Sequence, residues 1–594
     1  MASAKDLSVK KYGNPVAAAV VWLRLLLASA ARGDVFQWQW VDPNDHSLGK
    51  VQSAVLCTGG AGVTAGPGSV LGALDLTQAY LFARDLSFST WTGTTVNDGY
   101  FAGANLNQML LQQCSLRNAD FTGVLGMGQF RFCDVTGADF TDAKLKHFAF
   151  STLDNANFTR ADLSSASFEQ GSLHAADFTD ANITGTQFIG VQGFTQEQLH
   201  STASFKNGNL QGLSFGNFHA DLSGWDFRGG VDLSNANFTS VTLINARFDG
   251  ATLTLADFLN ANIASANFSG AKMQYAYFAG AAAQNASFKD ADLSYANLSA
   301  DVHGADFSNA IVLGTDFSYT TLVGFHATQL YSTASYQAHD LRGTKLDHND
   351  MTGWSFHGID LSGANLQANI LVNADFSDAD LGSANLISAR MHDADLTNTS
   401  FLGADLARAD LRGARSAVLT GAARLLATIM PDGTIDGFGQ TSGILRIANY
   451  HGSPAIPVRI KGSVSRPARF FFLFDTDPWQ STIGFDSGIP VDVTNTSIVL
   501  DFDTGVDPGA LLGRAIRVFD WSGVTPIGQF DLSSLALSGY QWDTSRLYSD
   551  GIVTLTAVPE PMFSVRLLTA SVLILMRSRR RGTCRWLEFG DRMS

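Results

Sequence analysis

The sequence predicts an all-β protein: a long solenoid of short repeats, then a small antiparallel β-sandwich-like domain. Three observations predict it. Apolar residues recur at every fifth position through the middle of the chain. After residue 433, short β-branched and aromatic runs alternate with turns rich in Gly, Asp and Pro. The composition holds 42 Phe against 12 Tyr, so one large side chain without a polar group is used many times over. A length of 594 residues excludes a single ordinary core, and 45% apolar against 16% charged residues excludes a disordered polyampholyte.

The repeat is clearest from Leu233. Every fifth residue reads Leu233, Phe238, Leu243, Phe248, Leu253, Phe258, Ile263, Phe268, Met273, Phe278, Ala283, Phe288, Leu293 and Leu298, with Ala283 the one small member. Further runs extend from Phe148 to Phe188 and from Tyr336 to Leu411. A period of five matches neither 3.6 nor 3.5 and so excludes a helix. Side chains alternate sides along an extended segment, so Ala two before each centre shares its side and the Asp or Asn between them points away. Five is odd, so the next centre faces inward only if the two residues after each centre turn a corner. Ser, Thr, Gly, Asn and Asp at those positions suit one. The alternation of Leu and Phe doubles the period to ten and requires an even number of faces per coil.

Ala256-Asp257-Phe258, Ala266-Asn267-Phe268 and Ala374-Asp375-Phe376 show the start of the unit. It resembles the A-(D/N)-(L/F)-x-x unit of the pentapeptide-repeat family, over roughly Leu71 to Ser416. The resemblance implies a right-handed quadrilateral parallel β-helix with about 20 residues per coil and coils about 4.8 Å apart. Phe238, Phe258 and Phe278 would stack in one column, and Phe248, Phe268 and Phe288 in the opposite one.

A longer repeat overlies the short one. Leu199 to Phe205 recurs as Leu330 to Tyr336, and Leu222 to Phe227 as Met351 to Phe356. Breaks in register, near 191–198 and 324–329, read as loops that leave the rod at the head of two duplicated blocks. Trp225 and Trp354 recur at equivalent places. Each reads either as a packing residue against the duplicated loop or as a surface platform on which a sugar stacks.

The flanks complete the organisation. Residues 1–31 read as a signal peptide: Lys5, Lys10 and Lys11, then an apolar run from Val16 that ends in small residues. Residues 32–70 form an N-terminal cap region and 71–416 the repeat rod. In 417–432, Val418, Ala422, Leu425 and Ile429 have helical spacing before Pro431-Asp432-Gly433. They predict a helical cap or connector over the open end of the solenoid. Residues 433–557 hold the strand-like runs Ile444 to Ala448, Phe470 to Phe474, Ile498 to Phe502, Ile516 to Phe519 and Ile552 to Leu555. Segment 558–581 contains Pro559, Glu560 and Pro561, an apolar stretch from Met562 to Met576, and Arg577, Arg579, Arg580 and Arg581, before a tail at 582–594. It resembles the PEP-CTERM sorting signal. That resemblance implies retention in the membrane by the C-terminal segment, with its arginines cytoplasmic, and cleavage by a sorting protease of the exosortase type. Both ends together predict an exported protein of the cell envelope, membrane-anchored or extracellular.

A net charge of −15 argues against a nucleic-acid partner, because phosphate contacts need clustered Lys and Arg. Cys57, Cys114, Cys133 and Cys584 form no CxxC. Cys114 and Cys133, 19 residues apart, are either a disulfide or two buried thiols on neighbouring coils. The rows of Asp beside the centres serve corners and solubility, or else bind cations along a face. No HExxH, Walker A, GxSxG or Cys/His grouping occurs, so no catalytic residue, cofactor or metal site is predicted. Three function classes remain. The leading one is an exported, non-catalytic structural or binding scaffold of the bacterial cell surface or extracellular matrix. Its partner would be an envelope or extracellular polysaccharide or another surface protein. The second is a DNA-mimicking topoisomerase inhibitor of the pentapeptide-repeat type. The third is a polysaccharide-acting β-helix enzyme, which would need clustered carboxylates in a groove.

Overall fold

Five backbone N–H groups per repeat must find acceptors, and the coil follows from where each one goes. In the repeat Ala256 to Asn260, Ala256 N–H closes the preceding corner on Leu253 O at 3.0 Å. Asp257 N–H reaches back one coil to Ala236 O at 2.9 Å. Phe258 and Asn260 N–H reach forward to Tyr277 O and Ala279 O, at 2.7 and 3.0 Å. Leu259 N–H, at the corner, is accepted by Asp257 Oδ1 at 2.9 Å. Asp232, Asn237, Asn262, Asn267 and Asp292 do the same for their own corners. The Asp or Asn between the two inward residues is therefore a corner acceptor. The second corner residue adopts left-handed backbone, as at Asn245 (φ 59°) and Asn260 (φ 54°), which Asn and Gly tolerate best.

The structure is a computed structural model and describes residues 33–216, 220–435, 444–462, 464, 469–503, 506–535 and 540–557. The signal-peptide segment, Cys584, and the sorting residues Pro559, Glu560, Pro561, Arg577, Arg579, Arg580 and Arg581 lie outside the described residues. The chain is mostly β. An antiparallel hairpin, β1 (Phe36–Trp40) and β2 (Lys50–Leu56), lies against the first coils, and Trp38 Nε1 donates to Asp98 O at 2.6 Å. Along one side of the rod, β3 (Val70–Gly72), β4 (Thr90–Thr92), β5 (Leu110–Gln112), β6 (Gln129–Arg131), β7 (His147–Ala149), β8 (Ser167–Glu169) and β9 (Gln187–Ile189) form one parallel sheet. Three further rows pair coil to coil through single bridges, as at Asp75 with Thr95, Tyr80 with Tyr100 and Asp85 with Asn105, which gives four sides. Inside, Phe258 stacks on Phe238 at 5.1 Å and on Phe278 at 4.8 Å, and Phe268 stacks on Phe248 and Phe288. Phe258 meets Phe268 of the opposite column edge-to-face at 5.6 Å.

The segments read as loops leaving the rod are part of its wall. Helices α1 (Gln196–Ser201) and α2 (Ala203–Lys206) replace one stretch of coil, and α3 (Ala327–Tyr331) and α4 (Ala334–Gln337) replace another. Leu199 and Leu330 are fully buried in the core. Leaving out a coil side strands carbonyls on the coil before it. Gln198 Nε2 donates to two of these, Leu173 O and Ala176 O, and Gln329 Nε2 to Val302 O and Ala305 O.

The helix expected over 417–432 is absent. Coil pairing continues there, joining Asp405 to Arg424 and Asp410 to Ile429. A short isolated helix is marginal, whereas the rod's last edge offers unpaired backbone groups to any extended segment.

The C-terminal sheet domain lies where expected, but its strands mostly pair in parallel. They are β10 (Thr434–Ile435), β11 (Ile444–Ala448), β12 (Val458–Ile460), β13 (Arg469–Phe474), β14 (Ile483–Phe485), β15 (Val491–Asp492), β16 (Ser497–Phe502), β17 (Ala515–Arg517), β18 (Phe519–Asp520), β19 (Pro526–Ile527), β20 (Tyr540–Asp543) and β21 (Ile552–Ala557). The orders β10-β12-β14-β18, β11-β13-β16 and β15-β19 are all parallel, so the chain winds a second coil with three sides. Among the described residues of this domain, β17-β21-β20 alone is antiparallel. Successive strands are separated by turns that change side instead of doubling back, and apolar runs alone do not distinguish the two.

Candidate functional site: a cleft between the two coils

Corner residues one coil apart line up along an edge of the rod. One edge carries Tyr319, His348, Ala368, Ser388 and Arg408, all in left-handed backbone with φ between 54° and 65°. Beside it runs an outward row, Asp350, Ile370, Arg390 and Asp410, bridged coil to coil. Across from both stand Arg446 on β11, Leu473 on β13, and Asp501 to Asp503 at the end of β16. Together they enclose a cleft of about 520 Å³, a size typical of ligand sites. At one end the Tyr319 ring stacks on His348 at 4.4 Å and 12°, with half of Tyr319 exposed.

Arg390 crosses the cleft to Asp503, with Nη1 to Oδ2 at 2.6 Å and Nη2 to Oδ1 at 3.3 Å. The Arg446 guanidinium lies over the Phe471 ring at 4.8 Å. Burial and the charge of Arg390 pull its pKa down from the usual guanidinium value, although arginine stays protonated. Neither Arg408 nor Arg446 forms a salt bridge among the described residues. The carboxylates have local partners: Asp350 accepts from Thr352 N–H and Oγ1, Asp501 from Phe502 N–H, and Asp503 from Arg390.

A buried latch fixes one wall against the other. Arg412, fully buried near the end of the rod, donates from Nε and Nη2 to Asp410 at 2.9 and 2.5 Å. It then reaches the second coil at Ser481 Oγ (2.8 Å) and Ala448 O (2.9 Å). His392 Nε2 lies 2.9 Å from Asp410 Oδ2. Burial alone would push the Asp410 carboxyl up, but the charges and hydrogen bonds of Arg412 and His392 outweigh it and hold the carboxyl far below the usual range. Tyr450 packs its ring under Arg412 at 5.2 Å and donates to Asp393 Oδ1 at 2.9 Å.

The two tryptophans sit elsewhere, against the helical insertions. Trp354, only 8% exposed, packs on Phe325 and Tyr331 and offers no free ring face. Trp225 is partly buried against Phe194 and Phe215. Cys57, Cys114 and Cys133 are free, buried thiols. His451 faces Asp475 from Nε2 (2.9 Å) and Asp477 from Nδ1 (3.5 Å). Its two ring nitrogens point to different carboxylates, an arrangement suited to two ion pairs. The sequence did carry a signal for the cleft: Ile370 and Arg390 occupy slots usually held by Asp or Asn, and Arg408 a slot usually held by Asn, Ser or Gly.

Eight copies of the pentapeptide repeat match this chain, within residues 100–124, 156–191, 218–258, 232–270, 266–311 and 374–413. The chain therefore carries pentapeptide repeats. Among solved structures it is similar to a pentapeptide repeat protein of the Arabidopsis thaliana thylakoid lumen, at 31% identity over 16% of this chain and 69% of that one, with a TM-score of 0.14. It is also similar to QnrB1, a plasmid-mediated fluoroquinolone resistance protein, at 19% identity over 36% and 84%, TM-score 0.17. A third is HetL of the cyanobacterium Nostoc, a pentapeptide repeat protein involved in heterocyst differentiation regulation, at 23% identity over 52% and 92%, TM-score 0.11. No curated protein matches the chain.

Proposed function

We propose that this protein is an exported, non-catalytic binding scaffold of the bacterial cell surface or extracellular matrix, and that its cleft receives an envelope or extracellular polysaccharide. The observation that carries the reading is the cleft itself, between two solenoids tied together by Arg412 through Ser481 and Ala448. A preformed groove loses little order on binding. The enzyme alternative would need an acid and a base in the cleft, where Asp503 is paired with Arg390 and Asp350 and Asp501 accept from their own turns. Export rests on the two ends of the sequence, with processing near Pro559, Glu560 and Pro561 by an exosortase-type protease and the membrane as a transient anchor. Among the described residues no helix is long and apolar enough to cross a membrane; the C-terminal apolar stretch lies outside them.

Fractionation of the native host with an antibody against the rod tests the destination. The expected result is protein in the envelope or medium, lacking about 30 N-terminal residues. Full-length protein in the cytosol, with residues 1–30 intact, would defeat the surface reading and favour the topoisomerase-inhibitor alternative. Purified protein should leave common polysaccharides uncleaved. Turnover that one carboxylate substitution abolishes would promote the enzyme reading.

A further inference from the structure

We infer that the cleft selects a carboxylate-bearing polysaccharide, gripped by the guanidinium groups of Arg408 and Arg446 and stacked at one end on Tyr319. This rests on the polysaccharide reading above and adds the charge of the ligand. The argument begins with the arginines. Exposed cations elsewhere on the rod commonly have a carboxylate within reach, as Arg160 has Asp142, Arg342 has Asp340 and Arg424 has Asp405. In the cleft only Arg390 is paired in this way. Arg408 and Arg446 form no salt bridge among the described residues; Arg446 lies in the field of Asp501 and Asp503 without reaching either, and both arginines line a concave site although the chain as a whole carries −15. A guanidinium presents parallel N–H groups matched to the two oxygens of a carboxylate. The walls also exclude bulk water on two sides, which strengthens such pairs.

The platform supplies the second half. His348 covers one face of Tyr319 at 4.4 Å, and Tyr319 as a residue remains 52% exposed. A flat ring held by a stacked neighbour suits the apolar face of a sugar. From His348 to Arg408 the edge climbs three coils, about 14 Å, so an extended chain can touch both ends at once. Ala368 and Ser388 lie between them and leave the floor low. The protein's own termini do not fit this charge, since the N-terminal segment carries Lys5, Lys10 and Lys11 and the C-terminal one an arginine cluster. A peptide docking by strand addition would need a free strand edge. On the rod wall of the cleft each coil is already paired to the next, so no such edge is open there.

The test is calorimetric titration of the full chain with polygalacturonate, neutral dextran, dextran sulfate and poly-glutamate. Polygalacturonate should bind best, and more weakly as salt is raised. Arg408→Gln and Arg446→Gln should each weaken that binding about tenfold or more. Arg408→Lys and Arg446→Lys should lose part of it, and Arg160→Gln, many coils away, none. Arg446 also covers the Phe471 ring, so near-ultraviolet circular dichroism of each variant, expected unchanged, separates lost binding from lost fold. Equal binding of dextran, unaffected by the arginine variants, would overturn the acidic ligand and leave the polysaccharide reading standing. Equal binding of dextran sulfate would overturn the carboxylate preference. Equal binding of poly-glutamate would overturn the saccharide in favour of an acidic peptide. Binding of no polysaccharide of either charge would overturn the proposed function as well.

Discussion

Asp257 and Phe258 are adjacent in sequence and serve opposite sides of the same wall, so substituting each one tests the backbone accounting directly. Phe258 is fully buried and touches four other rings, stacked on Phe238 and Phe278 and edge-to-face with Phe248 and Phe268. Phe258→Ala opens a cavity in a column whose backbone is tied at both ends, and should cost about 3–5 kcal/mol. Asp257→Ala removes the acceptor of Leu259 N–H. That group is only half-buried and can turn to water, so the cost should be about 1 kcal/mol. Asp257→Asn keeps an Oδ1 in the same place and should cost close to nothing, as Asn267 already shows by holding Ser269 N–H at 3.0 Å. Solenoids open locally, so the suitable measurement is native-state hydrogen exchange across the coil from Thr252 to Met273. The Leu259 amide should be deprotected first in the Ala variant and stay protected in the Asn variant. Equal losses for Asp257→Ala and Phe258→Ala, or for Asp257→Asn and Asp257→Ala, would refute the corner-acceptor role.

Four further outcomes are expected. Arg412→Met leaves Asp410 buried with one partner fewer and should lower stability by about 3–5 kcal/mol, whereas Arg412→Met with Asp410→Leu should recover most of it; thermal denaturation of both decides. The folded pKa of Asp410 lies below its unfolded value of 3.8, so its contribution is complete above that pH and is lost as pH falls toward the folded value; urea midpoints at pH 7 and pH 2 should converge in Asp410→Asn relative to the parent. Trp354→Ala should cost more than Trp225→Ala in the same melts, because Trp354 is the more deeply buried of the two. Cys57, whose thiol burial pushes up to about 11, and Cys133, pushed up by its neighbour Cys114 and by burial, should resist a thiol reagent at pH 8 until the protein is denatured.

The rod was legible in the sequence because its core is one side chain deep. A period of five projected the Phe columns directly, and both columns stand where the periodicity put them. The role of Asp257 was less visible, since nothing local marks Leu259 N–H as the amide that finds no backbone acceptor and is left to a side chain. The spacing of Val418, Ala422, Leu425 and Ile429 matched a helix by coincidence, and the unpaired end of the preceding coil decided the outcome. Apolar runs such as Phe470 to Phe474 were found as strands, but their partners lie on the next turn of the same coil, about 25 residues or more away. The cleft was hidden for a similar reason. Arg408 and Arg446 come from different coils, and contacts between the coils, through Arg412, Arg390 and Tyr450, bring them to one groove.

Neighbours on an edge are about one coil apart in sequence and about 4.8 Å apart in space, and this sets which changes in length the rod can absorb. Duplicating twenty residues near Asp249 would add one rung, give every downstream row its former kind of neighbour, and carry the cleft about 4.8 Å further out without turning it. Duplicating five would shift each later row onto the adjacent side, so the cleft would face a quarter turn away from where it faces now. Steps of nineteen and eighteen residues, as from Ser115 to Asp134 and from Asp134 to Thr152, keep all four rows aligned, so a corner tolerates losing a residue or two. Rod length therefore changes by whole rungs, while the direction in which the cleft is presented changes by single repeats.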